Sequence, residues 1–142
     1  MNLHEYQAKQ LFAAYAIPVP KGAPAFSGRE AAAAANTLGG ERWVVKAQVH
    51  SGGRGKAGGV ILAGSAGEVE SATNGLIGTQ LVTHQSGPAG LPVHAVLVEE
   101  VRPILRELYL SALVERGSAR VVFMASIAGG MDIEAVAATH PE

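Results

Sequence analysis

Cysteine is absent from the 142 residues. That removes disulfides, thiolate nucleophiles and Cys-ligated zinc together and fits a reducing compartment, so a cytoplasmic chain is expected. Charge is balanced: 11 Lys and Arg stand against 12 Asp and Glu, a formal net charge of -1. A nucleic-acid footprint needs clustered cations rather than a balance, so no nucleic-acid partner is expected. Long apolar runs are missing too; none approaches the ~20 residues that span a bilayer. The stretch from Met1 to Glu5 lacks the basic start of a leader, so a soluble chain with no membrane partner, beginning at its mature end, is expected. Large apolar side chains are fewer than the 48% hydrophobic fraction suggests, because Ala alone supplies 25 residues. The length suits one compact body and not two complete ones.

What is present alternates between helix and strand signals. Asn2 with Glu5 has capping-box spacing, and Ala8, Leu11, Phe12 and Tyr15 share one helical stripe, predicting a helix from Leu3 to Tyr15 that Pro18 and Pro20 stop. Ser27 with Glu30 opens an alanine-rich helix that Gly39 and Gly40 close, and Ser65 with Glu68 opens another with the stripe Val69, Ala72, Thr73, Leu76 before Gly78. Runs rich in Val and aromatics predict strands over Trp43 to His50, Val60 to Ala63, Val93 to Val101, Glu107 to Glu115 and Ala119 to Ile127. Arg116-Gly117-Ser118 joins the last two as a hairpin, and Gly87 to Pro92 is expected as a loop. The fold class is α+β, with the chain passing from one layered unit into the start of another near Arg102-Pro103.

Five of the 18 glycines are Gly52, Gly53, Gly55, Gly58 and Gly59, interrupted by Arg54, Lys56 and Ala57. Glycine lets backbone amides approach a ligand, and amides plus two cations suit a polyphosphate; the alternative is a flexible hairpin between strands. A P-loop is excluded, since Ala57 replaces the metal-binding hydroxyl and His50 the first glycine. Gly53, Gly55 and Gly58 satisfy G-x-G-x-x-G, but a strand follows where a dinucleotide site needs a helix. A kinase-type loop fits the strand-loop-strand geometry, yet the kinase lysine and the His-Arg-Asp and Asp-Phe-Gly signatures are missing.

Strand alternation places Trp43, Val45, Ala47 and Val49 on one face and Val44, Lys46, Gln48 and His50 on the other. Beside the glycine-rich loop, Lys46 reads as a point charge for a nucleotide phosphate; on its own it could equally be a snorkelling edge residue. Glu99 and Glu100 end the next strand. A bend there could present peptide groups to an adenine edge and Glu107 could accept ribose hydroxyls, or the pair could be a solvated strand end bound to Arg102 or Arg106. His50, His84 and His94 lack metal-ligand spacing.

The blocks Met1 to Lys9, Val44 to His50 and Ser51 to Val60 resemble the β subunits of the succinyl-CoA synthetase family. Leu81 to Gln85, Glu107 to Leu110 and Gly129 to Glu134 extend the likeness across the chain. The resemblance implies an ATP-grasp fold with a complete first subdomain and a truncated second. Residues 1–19 would belong with the second subdomain, 20–102 would be the first, and 103–142 the start of the second. It implies ATP or GTP as the nucleotide, Lys46 as a phosphate ligand, and Gly53, Arg54 and Gly55 as the covering loop. Glu99 and the main chain at Arg102 become adenine-side contacts and Glu107 a ribose contact; Arg102 is bulkier than is usual there. The family joins succinate and CoA, in a heterotetramer, through a phosphohistidine on a separate α subunit, and none of the histidines here is that residue. Mg²⁺ ligands are expected beyond residue 142, so a truncated piece with little catalysis is expected. Malate-CoA ligase β subunits share the same blocks, and a noncatalytic nucleotide-binding fragment is the other alternative.

Overall fold

A computed structural model describes residues 2–130. Among them run α1 (Glu5–Ala14), β1 (Gly22–Ala25), α2 (Gly28–Leu38), β2 (Trp43–Ala47), β3 (Val60–Ala63), α3 (Ala66–Leu76), β4 (Gln80–Leu81), β5 (Leu91–Pro92), β6 (Val96–Glu100), β7 (Tyr109–Glu115) and β8 (Arg120–Ser126). The chain divides into two units, Met1–Arg102 and Pro103–Glu142. The Met131 to Glu134 part of the family block lies outside the described residues.

In the first unit the sheet runs β1-β6-β2-β3, antiparallel at every junction. Helix α2 packs on β1 and β6, and α3 on β2 and β3. Both helices begin where the caps predict. Ser27 Oγ accepts from the Glu30 N–H at 3.3 Å and Ser65 Oγ from the Glu68 N–H at 3.2 Å. Glu30 and Glu68 each reach back to accept a preceding backbone N–H, from Phe26 and Gly64. Gly39 closes α2 at φ +71°, where a side chain would be strained. The core forms between the helices and one sheet face: Trp43, Val45 and Ala47 on β2, Val96 and Val98 on β6, Ala31 and Ala35 on α2, Val69 and Leu76 on α3. The opposite face of β2 and β6 carries Val44, Lys46, Leu97 and Glu99, with Lys46 paired to Leu97 and Val44 to Glu99.

Several expectations differ from what forms. Helix α1 starts at Glu5, not Leu3, and its cap is His4, whose N–H donates to Gln7 Oε1 at 2.9 Å. The Glu5 carboxylate is not available for a cap because three cations take it. The stripe of α1 does not enter the core: Leu11, Phe12 and Tyr15 are 50%, 47% and 76% exposed and no residue of the helix is buried. β1 was unforeseen because Gly22-Ala23-Pro24-Ala25 reads as a loop; Pro24 is tolerated since β1 is an edge strand. The expected loop at Gly87 to Pro92 ends in β5, which pairs with β4 over only two residues each, too short for any periodicity. β2 stops at Ala47 and β6 starts at Val96, both inside the predicted runs.

In the second unit β7 and β8 form a two-stranded hairpin from Tyr109↔Ser126 to Glu115↔Arg120, turning through 116–119. Leu110, Val114 and Phe123 on it are exposed. Among the described residues no helix is long and apolar enough to cross a membrane.

Candidate functional site

Sheet register and helix placement converge five charged side chains on the face of β2 and β6 away from the core. Lys46 lies two pairs along from Glu99 on the neighbouring strand, and its Nζ is 3.2 Å from Glu99 Oε2 and 3.1 Å from Glu5 Oε1 on α1. Lys9, one turn after Glu5, reaches the same two carboxylates, 2.9 Å from Glu5 and bonded to Glu99. Arg54 enters from the glycine-rich segment: one guanidinium nitrogen is 2.6 Å from Glu5 Oε2 and the other donates to the Ala47 carbonyl at 2.8 Å. Gln48, 2% exposed, ties the helix to the strand by accepting from the Tyr6 N–H at 3.1 Å and donating to the Lys46 carbonyl at 3.0 Å.

Three cations share two carboxylates, leaving one positive charge in a largely desolvated cluster. Burial alone would raise the Glu5 carboxyl, but Lys9, Lys46 and Arg54 outweigh it and hold it at about 2, below its ordinary 4.5. Burial likewise opposes the charged form of Lys9, yet Glu99 and Glu5 raise its pKa above the ordinary value. His4 stacks on His50 with ring centroids 4.1 Å apart, and burial, then the nearby His50 and Arg54, lower its pKa.

The glycine-rich segment is a closed turn rather than a loose hairpin. Gly59 donates to the Arg54 carbonyl at 2.8 Å, Ala57 to Gly53 and Gly58 to Gly55 at 3.2 Å each, and Ala47 donates back to Gly59 at 2.8 Å. Gly53 has φ +73°, which strains any other residue, and a Cβ there would lie 2.6 Å from Nδ1 of the exposed His84, whose ring would have to shift. Gly55 faces open space. A groove of about 470 Å³ beside the turn is lined by Glu5, His50, Ser51, Gly52, Arg54 and Gln85. Another hollow, of about 430 Å³, is lined by Tyr6, Lys9, Val19, Pro20, Gly22 and Leu97 among others.

The residues singled out from sequence thus separate into three places. Lys46, Arg54 and Glu99 come together, with Gly53 and Gly55 in the adjoining turn. Arg102 lies at the exposed end of β6, where its guanidinium is 2.8 Å from Glu100. The solvated-end reading therefore holds for Glu100, whereas Glu99, 4% exposed, is buried among cations. Glu107 is in the second unit, where Gly129 and Gly130 let the chain pass against it; a Cβ on Gly130 would come 2.2 Å from its Oε2. Glu5, Lys9 and Gln48 were missed. The i,i+4 spacing of Glu5 and Lys9 was a readable signal, but capping-box spacing claimed Glu5 first. Among the described residues no group of three His, Asp or Glu side chains could hold a metal ion.

A family described as the ATP-grasp domain matches residues 2–142. Curated relatives named succinate--CoA ligase [ADP-forming] subunit beta are similar over all 142 residues: 63% identical in Alkalilimnicola ehrlichii, 61% in Halorhodospira halophila and 59% in Tolumonas auensis. The chain spans 36% of the length of each. Among solved structures, a dinucleotide forming acetyl-coenzyme A synthetase 1 of Ca. Korarchaeum cryptofilum, in complex with coenzyme A, Ca-AMPCP and HgCl+, is similar at a TM-score of 0.66 and 26% identity. The match covers 88% of this chain and 54% of that one.

Proposed function

Because this chain belongs to the ATP-grasp family, we propose that its first unit grips the phosphates of ATP or GTP for the β subunit of a succinate–CoA ligase. One observation carries the reading: Lys46 and Arg54, from a strand and the glycine-rich turn after it, converge on a single acidic group. Two cations that share a carboxylate are spaced to share a phosphate. Arg54 offers a planar fork and Lys46 a compact point charge, and Ser51, Gly52 and Arg54 of the turn line a groove together with Glu5. Phosphoryl transfer needs mostly such positioning and charge neutralisation.

Glu99, beside Lys9 and Lys46, and the main chain at Arg102 are assigned to the adenine side, and Glu107 to the ribose. The hollow of about 430 Å³ next to Lys9 is in the size range of small-ligand sites and is mostly apolar, which suits a nucleobase. Residues 1–19 are assigned to the second subdomain of the full-length protein, supported by the exposed Leu11, Phe12 and Tyr15. In this reading the nucleotide is coupled to succinyl-CoA formation and cleavage, in the cytoplasm, through a phosphohistidine on an α-subunit partner that also binds CoA. Mg²⁺ accompanying the nucleotide takes its protein ligands from outside residues 1–142.

The test uses the full-length chain with its α partner. Lys46→Ala and Gly53→Val are each expected to lower nucleotide-dependent succinyl-CoA formation by roughly 10²-fold or more, the scale for losing one preorganised charge contact. Unchanged rates in both variants would show that the phosphates bind elsewhere.

A further inference from the structure

We infer that Glu5 is itself part of the nucleotide site, as a carboxylate that holds Lys46 and Arg54 in the manner of a phosphate and that the phosphate tail must displace. The inference rests on the phosphate-site reading above. Glu5 uses both oxygens: Oε1 is 3.1 Å from Lys46 Nζ and 2.9 Å from Lys9 Nζ, and Oε2 is 2.6 Å from the Arg54 guanidinium. A phosphate oxygen pair makes the same kind of charge-assisted bonds to the same donors, and Lys46 already directs its ammonium to Glu5 and to both Glu99 oxygens, so an arriving phosphate competes with Glu5 for it.

The two carboxylates of the cluster differ in how firmly they are anchored. Glu99 stands on β6, an inner strand of the sheet, and is 4% exposed. Glu5 stands on the first turn of α1, a helix with no buried residue, held by the Gln48 bond to Tyr6, the His4–His50 stack at its cap and the ion pairs themselves. Glu5 is therefore the partner that can leave. Arg54 keeps a second anchor on the Ala47 carbonyl, so it stays aimed at the site when Glu5 withdraws. Withdrawal leaves Lys9, Lys46 and Arg54 against Glu99 alone, raising the net charge from one positive to two as the polyanion arrives. Held at about 2, Glu5 stays ionised at neutral pH, so protonation does not remove the competitor.

An internal competitor lowers apparent affinity by the share of molecules in which it occupies the site, and it acts only on ligands that carry phosphate. The test measures ATP and adenosine binding by calorimetry in the full-length chain with its α partner, comparing the parent with Glu5→Gln, Glu5→Asp and Lys46→Ala. Expected are ATP binding about five- to a hundredfold tighter in Glu5→Gln, the scale of the three ion pairs that Glu5 otherwise gives up, and unchanged adenosine binding. Glu5→Asp, charged but one methylene shorter, should fall in between; if Glu5→Gln fails to fold, Glu5→Asp carries the comparison. ATP binding no tighter in either Glu5 variant while Lys46→Ala weakens it overturns the inference and leaves the phosphate site standing. Equal tightening of ATP and adenosine also overturns it. ATP binding unchanged in Lys46→Ala removes the phosphate site and the inference with it.

Discussion

Glu5 carries three ion pairs, and its low pKa links the cluster to pH. The folded carboxyl titrates near 2 and the unfolded one near 4.5, so the folded state binds fewer protons between those values. Its stabilisation is complete above about pH 4.5 and is lost as pH falls toward about 2, on the order of 3 kcal/mol in all. Urea unfolding of the parent and Glu5→Gln should therefore differ most near neutrality and converge across that window; a constant difference down to pH 2 would contradict the assignment. Lys9 is raised instead, so its contribution persists at neutral pH and fades only above its ordinary 10.5. At Gly53 the constraint is conformational: with φ +73° and a Cβ position 2.6 Å from His84, Gly53→Ala should cost about 1–3 kcal/mol in thermal or urea unfolding. An unchanged midpoint would mean that the turn is not held as described.

Helices α2 and α3 were legible because each pairs a serine cap with a glutamate three residues on and then buries a periodic stripe, Ala31 and Ala35 on α2 and Val69, Thr73 and Leu76 on α3. Ser65→Ala should cost about 1 kcal/mol by removing the acceptor for the Glu68 N–H; a loss below a few tenths in urea unfolding would refute that role. Helix α1 was legible as a helix but not in its packing. Its apolar stripe reads as a core face, yet charges and Gln48 hold it to the sheet, and the Arg54–Glu5 and Lys9–Glu99 pairs, 49 and 90 positions apart, leave no local pattern. Lys46 was legible because alternation in β2 puts it opposite the buried Trp43 and Val45 face. Its neutralisation by two carboxylates was not, since it depends on the β2–β6 register. Strands β1, β4 and β5 are held by pairing partners rather than by their own propensity, which is why Pro24 and a two-residue pair escape a reading of sequence alone.

The two units of the chain differ in how much they bury. The first has a four-stranded sheet covered by two helices, with Val45, Val96 and Val98 fully enclosed. The second is a hairpin whose Leu110, Val114 and Phe123 are 71%, 70% and 68% exposed. A two-stranded sheet is marginal alone, and among the described residues neither of its outer edges is paired. Residues 1–142 prepared alone should therefore self-associate and show slow amide exchange in β2 and β6 but fast exchange in β7 and β8. A monodisperse monomer by light scattering, with β7 and β8 as protected as β6, would contradict this. The most direct test of the phosphate site is a crystal structure of the full-length protein with ATP bound. The expected result places phosphate oxygens within hydrogen-bond reach of Lys46 Nζ and the Arg54 guanidinium, over the turn at Gly53. A triphosphate bound elsewhere, with Lys46 still held between Glu5 and Glu99, would contradict it.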